Sequence, residues 1–405
     1  MHKPKILLVS IGHIDHGKST LVGRLLYDSQ NQPGTTNRSV IPEREINFSH
    51  FLDALEEERD KGITIDIVHT PFEGNKYRFE IIDCPGHKEF IKNMMGGATH
   101  ASSAQLLVSA APGEGIQEQT RRHLWLARLF GIEQVVVVVN KMDLAAYSES
   151  SFLALKGQVV SLLNNLSFQR DHIAFVPTSG KEGENVFFKS TKMPWWQGGS
   201  YLNVLENSLT PAKALNQYPT RFSVQSVSGN LVVGRVESGA LKVRDALRLA
   251  PNGGDFRVLE IKGPNTEKAE AGESVGLALK GEVSKITRGS VLLPRVDEAQ
   301  NKKNFKARLY VMSEAGLEEG GIYTLRVGLQ ETACTISRLS PLDPLSPLNP
   351  ETETPFQNNI PQHMGALVAM ETTTPVFVEP FFHCPPTGRL LLEREGKIIA
   401  AGVCL

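Results

Sequence analysis

Four short apolar runs in the first half of the chain are each followed at once by a polar segment. Ile6-Leu7-Leu8-Val9, residues 79–82, the valine run 135–139 and Phe175-Val176 read as buried strands, since a strand covered on both faces needs no alternation. Behind the first run, Leu21, Leu25 and Leu26 recur at helical spacing, and residues 202–209 read as the last helix of this region. Alternating strands and helices predict an α/β domain, a mostly parallel sheet with helices on both faces. Near residue 200 the pattern changes. Residues 210–219 carry two prolines and read as a linker. Beyond them come short strands separated by turn signals such as Pro251-Asn252-Gly253-Gly254 and Ala271-Gly272-Glu273. A second polar linker covers residues 298–304, which divides the chain into expected domains at 1–210, 218–297 and 303–405. A length of 405 residues suits about three domains, each with its own core.

The polar segments carry the chemistry. Gly12-His13-Ile14-Asp15-His16-Gly17-Lys18-Ser19 follows the first strand and opens a helix, as a phosphate-binding P-loop does. Backbone N–H groups and a helix N-terminus must face the phosphates. Gly12 and Gly17 permit that close approach, Lys18 reaches the β- and γ-phosphates, and the Ser19 hydroxyl suits Mg²⁺. Asp83-Cys84-Pro85-Gly86-His87 follows the second run, and Asp83 fits a carboxylate that holds Mg²⁺ through water. Asn140-Lys141-Met142-Asp143 follows the valines; a carboxylate there accepts two donors from guanine and rejects adenine. Thr178-Ser179-Gly180-Lys181 is a weaker fourth motif that brings Ser179, Gly180 and Lys181 to the same sheet edge. The expected ligand is GTP or GDP.

Residues 11–27, with Thr20 following Ser19, together with 58–66, 82–94, 119–123 and Met193-Pro194-Trp195-Trp196, resemble the translation-factor GTPases, nearest the archaeal type of elongation factor 1-alpha. The GTPase subunit of sulfate adenylyltransferase is a second similar branch, and a specialised paralogue of the ribosome-rescue kind is a further alternative. The resemblance implies a P-loop GTPase domain followed by two small β-barrels, with residues 234–239 and 287–289 matching motifs of the first barrel. It implies that Thr64 closes on Mg²⁺ and the γ-phosphate in the GTP state, and that His87 orients the attacking water. Ile14 and Ile63 match an apolar pair that gates this histidine, and Asp15 matches an acid that stabilises charge in the P-loop, where His13 and His16 also line the nucleotide site. Catalysis is thus expected of His87, Thr64 and Lys18. The implied partners are aminoacyl-tRNA and the ribosome, or alternatively a catalytic sulfate adenylyltransferase subunit, with a nucleotide-exchange factor. No arginine of the motifs is placed as an arginine finger, so turnover should be slow until a partner accelerates it.

Several features pull against a plain elongation factor. The glycine-rich loop before Val232 is cut to residues 226–230, and residues 322–328 look closer to the sulfate branch. The P-loop, however, is of the elongation type, and the N-terminal extension usual in the sulfate branch is lacking. Ser102 stands where relatives often carry Asp, and Gln105 interrupts an apolar strand. Other residues read as structural: the charge run 56–59 as a solvated helix face, Met94 and Met95 as packing, His100 and His123 as surface or core histidines, and Trp195-Trp196 as a packed loop. Pro341, Pro344, Pro347 and Pro350 recur every third residue, the polyproline II period, and read as a stiff loop between barrel strands.

Composition adds placement rather than chemistry. A formal net charge of −1 leaves no global basic footprint for RNA, although Lys302, Lys303, Lys306 and Arg308 could form a local one. No apolar run approaches the ~20 residues of a membrane span. Met1-His2-Lys3-Pro4 leaves no room for a signal peptide, and four scattered cysteines read as reduced thiols, so a cytoplasmic protein is expected.

Overall fold

The computed structural model describes residues 3–30, 68–83, 101–297, 301–342 and 358–405. Thr64, Gly86 and His87, with Ile63, residues 56–59, Cys84, Met94, Met95, His100, Pro344, Pro347 and Pro350, lie outside the described residues. The chain divides into two compact units and passes from the first to the second after Ala212.

The first unit is built on a six-stranded sheet. Its strands are β1 (Lys5–Gly12), β2 (Val68–Glu73), β3 (Arg78–Asp83), β4 (Ser103–Ser109), β5 (Gln134–Asn140) and β6 (Ile173–Pro177). They run in the order β2-β3-β1-β4-β5-β6. All neighbours are parallel except β2, which lies antiparallel on the outside of β3. Every residue of β4 and β5 is buried, the signature of central strands covered on both faces. Helices α1 (Lys18–Gln30), α2 (Glu118–Leu129), α3 (Glu149–Asn165) and α4 (Tyr201–Ser208) supply the cover. Leu21, Val22, Leu25 and Leu26 of α1 and Leu202 and Leu205 of α4 pack with Ile6, Leu8, Phe79, Ile81, Leu107, Val136 and Val138 on one face. The alternate residues of the same strands point to the opposite face, where α2 meets β1 and β4, and α3 meets β5. Trp196 packs against the first of these cores, while Trp195 stacks on Phe152 and donates its Nε1–H to the Tyr147 carbonyl, as expected of a packed loop.

Gln105, the polar residue inside β4, has a structural role. It is fully buried on the face that carries α1 and α4. Its Nε2 donates to the Ser10 hydroxyl at 3.0 Å, and its Oε1 accepts from the Tyr201 hydroxyl. Burial pushes the Tyr201 phenol far above its ordinary pKa, so it stays a neutral donor. This buried chain fastens α4 to β1 and β4. Replacing Gln105 by Ala strands two buried hydroxyls and opens a cavity, and should cost about 3 kcal/mol in urea unfolding. Combining Ser10→Ala, Gln105→Leu and Tyr201→Phe should recover most of that loss; a triple variant no better than the single one would defeat this reading.

The second unit contains two closed six-stranded barrels. The first is formed by β7 (Arg221–Ser228), β8 (Leu231–Ser238), β10 (Ala246–Ala250), β11 (Asp255–Lys262), β13 (Ser274–Lys280) and β14 (Val291–Pro294). A small ribbon pairs β9 (Ala240–Lys242) with β12 (Lys268–Glu270). The second barrel is formed by β15 (Asn301–Val311), β17 (Ile322–Val327), β18 (Gln330–Leu342), β20 (Gly365–Phe377), β21 (Arg389–Arg394) and β22 (Lys397–Cys404), with β16 (Leu317–Glu318) paired to β19 (Asn359–Ile360) beside it. Alternation does the work here: in β8 every second residue is buried, and Phe222, Val232, Val236, Leu247 and Leu277 meet inside.

Three readings shift in detail. The shortened loop before Val232 is a hairpin turn at Gly229-Asn230, with Gly229 at φ 56° and Ser228 paired to Leu231. The polar stretch taken as the second linker already belongs to β15 from Asn301, because the outer face of a barrel strand accepts polar side chains while its backbone pairs with Val376 and Phe377. Pro341 sits in β18 opposite Ala366, a strand position rather than a loop. Cys334, Cys384 and Cys404 are buried free thiols. No helix among the described residues is long and apolar enough to cross a membrane.

Candidate functional site

The carboxyl ends of β1, β3, β5 and β6 lie along one edge of the sheet, and the four sequence motifs begin there. β1 ends at Gly12, a single turn covers Ile14–His16, and α1 starts at Lys18. Gly12 has φ 139°, and a Cβ there would lie 2.5 Å from the Leu107 carbonyl oxygen. Gly17 has φ 83°, and a Cβ would fall 2.7 Å from Asn140 Nδ2. Both glycines are therefore needed for shape and for space. The Lys18 ammonium is buried across the loop, donating to the carbonyl oxygens of His13 at 3.0 Å and Gly12 at 3.3 Å. Ser19 and Thr20, half-buried, form the first turn of α1 behind it.

The two histidines of the loop differ. His13 Nδ1 accepts from the Asp15 amide at 3.4 Å, and Asp15 and Ile14 are exposed. His16 is buried, and its Nδ1 lies 3.1 Å from the Leu107 carbonyl oxygen, to which it donates. Burial pulls its pKa below the usual histidine range, against the opposing effect of that hydrogen bond. A neutral imidazole thus pins the P-loop to the end of β4.

Asp83 closes β3 beside the loop, and the Ser19 hydroxyl donates to its Oδ2 at 3.4 Å. A hydroxyl and a carboxylate oxygen side by side, next to a phosphate-shaped loop, are the hard donors that magnesium takes. The chemistry of this donor set fits the ion that the sequence implies.

On the other flank, Asn140 joins three motifs. Its Nδ2 donates to the His16 carbonyl at 3.0 Å, and its Oδ1 accepts from the Gly180 amide at 2.9 Å and the Thr178 hydroxyl at 3.1 Å. Lys141 follows in the left-handed region at φ 60°, and its ammonium meets both carboxylate oxygens of Glu114, at 2.8 and 3.1 Å. Asp143 Oδ1 accepts from the Ser179 hydroxyl at 2.6 Å, which fixes the carboxylate where it can face a ligand edge. Lys181 is exposed, and its carbonyl accepts from Arg24 of α1 at 3.4 Å. His123 lies buried in α2, away from these motifs in the sequence, in keeping with a core histidine.

The described candidate residues thus fall into two groups that meet at Asn140: Gly12 to Thr20 with Asp83, and Asn140 to Asp143 with Ser179, Gly180 and Lys181. Two participants escaped the motif reading. Arg24, paired with Asp28 at 2.9 Å, braces the Lys181 backbone. Glu114 carries the Lys141 ammonium, and its signal was a carboxylate between Gly113 and Gly115 directly after a buried strand.

The sequence matches three family descriptions in order: elongation factor Tu GTP binding domain over residues 3–233, elongation factor Tu domain 2 over 229–293, and GTP-eEF1A C-terminal domain-like over 304–405. It is similar to elongation factor 1-alpha of Methanopyrus kandleri, 36% identical over 426 residues covering 100% of this chain and 98% of that one. Elongation factor 1-alpha of Methanosphaera stadtmanae is likewise 36% identical over 414 residues, with the same coverage. Among solved structures, sup35 complexed with GDP matches 100% of this chain and 94% of that chain at 23% identity, with a TM-score of 0.44, too loose a likeness to bear on the site.

Proposed function

Since this chain belongs to the elongation factor 1-alpha family of translation GTPases, we propose that its GTP-bound form carries aminoacyl-tRNA to the ribosome, which triggers hydrolysis and release. The protein is a GTPase of the elongation factor 1-alpha type, and it binds GTP and GDP. The observation that carries the site is the Asn140 side chain, which ties the phosphate loop to both base-reading loops within hydrogen-bond distance. A site so joined senses phosphates and base together.

In this reading the domains are 1–210, 218–297 and the second barrel, which starts with β15 at Asn301 rather than at 303 and runs to 405, and the cytoplasm is the place of work. The backbone from His13 to Thr20 and the Lys18 ammonium hold the β- and γ-phosphates. Asp143 takes the guanine edge, positioned by Ser179, while Lys141, Gly180 and Lys181 close around the base. Ser19, Asp83 and Thr64 hold magnesium, whose bound charge would offset that on the phosphates. Gly86 belongs to the nucleotide-binding set, and His87 orients the attacking water. Thr64 and His87 report which nucleotide is present, since loops of this kind are ordered by the γ-phosphate.

The test is the spontaneous hydrolysis of the aminoacyl-tRNA ester in the presence of the full chain. The ester should be protected with a non-hydrolysable GTP analogue and exposed with GDP. Equal hydrolysis in both states, with nucleotide binding verified, would remove the carrier role and turn attention to a sulfate-activating partner subunit.

A further inference from the structure

We infer that Glu114 is a positioning residue of the guanine pocket, holding the Lys141 side chain in place so that its alkyl stem covers the face of the base. The inference rests on the guanine-nucleotide reading above and adds to it a residue that lies in none of the four motifs.

The geometry is specific. Lys141 stands in the loop between Asn140, which braces the pocket, and Asp143, which reads the purine edge. A lysine stem is apolar along its length and lies readily against a flat ring, provided its ammonium finds a fixed partner. Here that partner is Glu114, which meets the ammonium with both carboxylate oxygens, at 2.8 and 3.1 Å. The pair is partly shielded, with Lys141 24% and Glu114 36% exposed.

Glu114 is itself held. The turn 110–115 is closed by a bridge between Ser109 and Gly115. Within it the Glu114 amide donates to the Ala111 carbonyl at 3.1 Å, and the Ala111 amide donates to the Ser109 hydroxyl at 3.1 Å. The Ala110 amide donates to the Asn140 carbonyl at 2.8 Å, which ties the turn to the base-reading strand. Gly113 at φ 82° and Gly115 at φ 51° allow so tight a return. Lys141 first, and the Ser109 hydroxyl second, hold the Glu114 carboxyl below its ordinary range, so it is a charged acceptor. Among the described residues His16 also acts on Glu114, in the same direction but more weakly than Lys141, and burial lowers its own pKa. A flexible lysine is thereby presented from a stiff acidic turn.

The test uses the full chain loaded with ribose-labelled fluorescent GDP or its inosine counterpart, and reads the dissociation rate. Glu114→Gln should accelerate release of both nucleotides by the same factor, about fivefold, the upper range for a partly exposed pair. Covering a ring face does not depend on the exocyclic amine, so guanine and hypoxanthine should respond alike. Glu114→Lys should accelerate release further, and in a Lys141→Ala background Glu114→Gln should add nothing. Raising salt to about 1 M should bring the parent toward the Glu114→Gln rate, because the pair is screened. An unchanged rate, an equal acceleration without Lys141, or an acceleration confined to GDP would overturn the inference. Failure of the parent to retain either nucleotide is a separate result, which overturns the nucleotide reading and this inference with it.

Discussion

Replacing Lys18 by Ala should lower the single-turnover rate of GTP hydrolysis by about two to three orders of magnitude, the usual effect of removing one preorganised donor from a developing anionic charge. The structure explains why the loss should be large. Lys18 is only 5% exposed, and its ammonium is aimed across the P-loop by the Gly12 and His13 carbonyls, which fix its direction. A charge set in advance in a shielded site needs no rearrangement during reaction. Charge on the γ-phosphate group spreads in the transition state, and a fixed cation is worth more there than in the ground state. The rate at saturating GTP should therefore fall more steeply than GTP affinity. A Lys18→Ala variant that only weakens binding, with hydrolysis restored at high GTP, would show that the ammonium binds both states equally.

The same site shows what the sequence could and could not convey. Gly12, Gly17, Asp83 and Asn140 were legible because each follows an apolar run, and buried parallel strands that share a sheet deliver their next residues to one edge. The fold of the first unit was legible for the same reason, since uninterrupted runs such as 135–139 admit little except central strands. Glu114 and Arg24 were not legible as site residues. Their roles depend on where a turn and a helix face lie relative to Lys141 and Lys181, and no spacing along the chain encodes that. Gln105 looked anomalous because one-dimensional patterning assigns β4 to an apolar interior. Its partners, Ser10 and Tyr201, lie 95 and 96 residues away, and only the packed sheet makes the trio a closed hydrogen-bonded set. In the barrels, alternation announced strands but not their limits, so β15 begins inside the polar stretch that read as linker.

Arg221 is the extreme case of a residue without a sequence signal, and its replacement by Met should destabilise the second unit by about 3–5 kcal/mol. The side chain opens β7 in the first barrel and is 1% exposed. Its Nε and Nη2 donate to Glu379 Oε2 and Oε1 at 2.8 and 2.6 Å, a bidentate pair that crosses to the segment after β20. Its Nη1 donates to Asp297 Oδ2 at 2.7 Å and the Thr220 carbonyl at 2.8 Å. Burial pulls the guanidinium pKa down, but Glu379 and then Asp297 outweigh it and push it above its ordinary value. Burial would likewise raise the Glu379 carboxyl, yet Arg221 and the Thr387 hydroxyl keep it below its ordinary value. Without Arg221 the Glu379 carboxylate is left in the interior with Thr387 and His383 as poor substitutes, and that uncompensated charge sets the cost. Replacing both residues by apolar ones of similar volume should therefore cost less than Arg221→Met alone, because the stranded charge goes with its partner. The sign with pH follows from Glu379: its folded pKa is depressed below 4.5, so the stabilisation is complete above the unfolded value and fades as pH falls through the folded one. Calorimetry of the full chain should show the transition of the barrels shifting down in Arg221→Met, and Glu379→Gln should lose part of the acid-side slope. A single variant within about 1 kcal/mol of the parent, the ordinary worth of an exposed pair, would mean that the knot contributes no more than a surface contact.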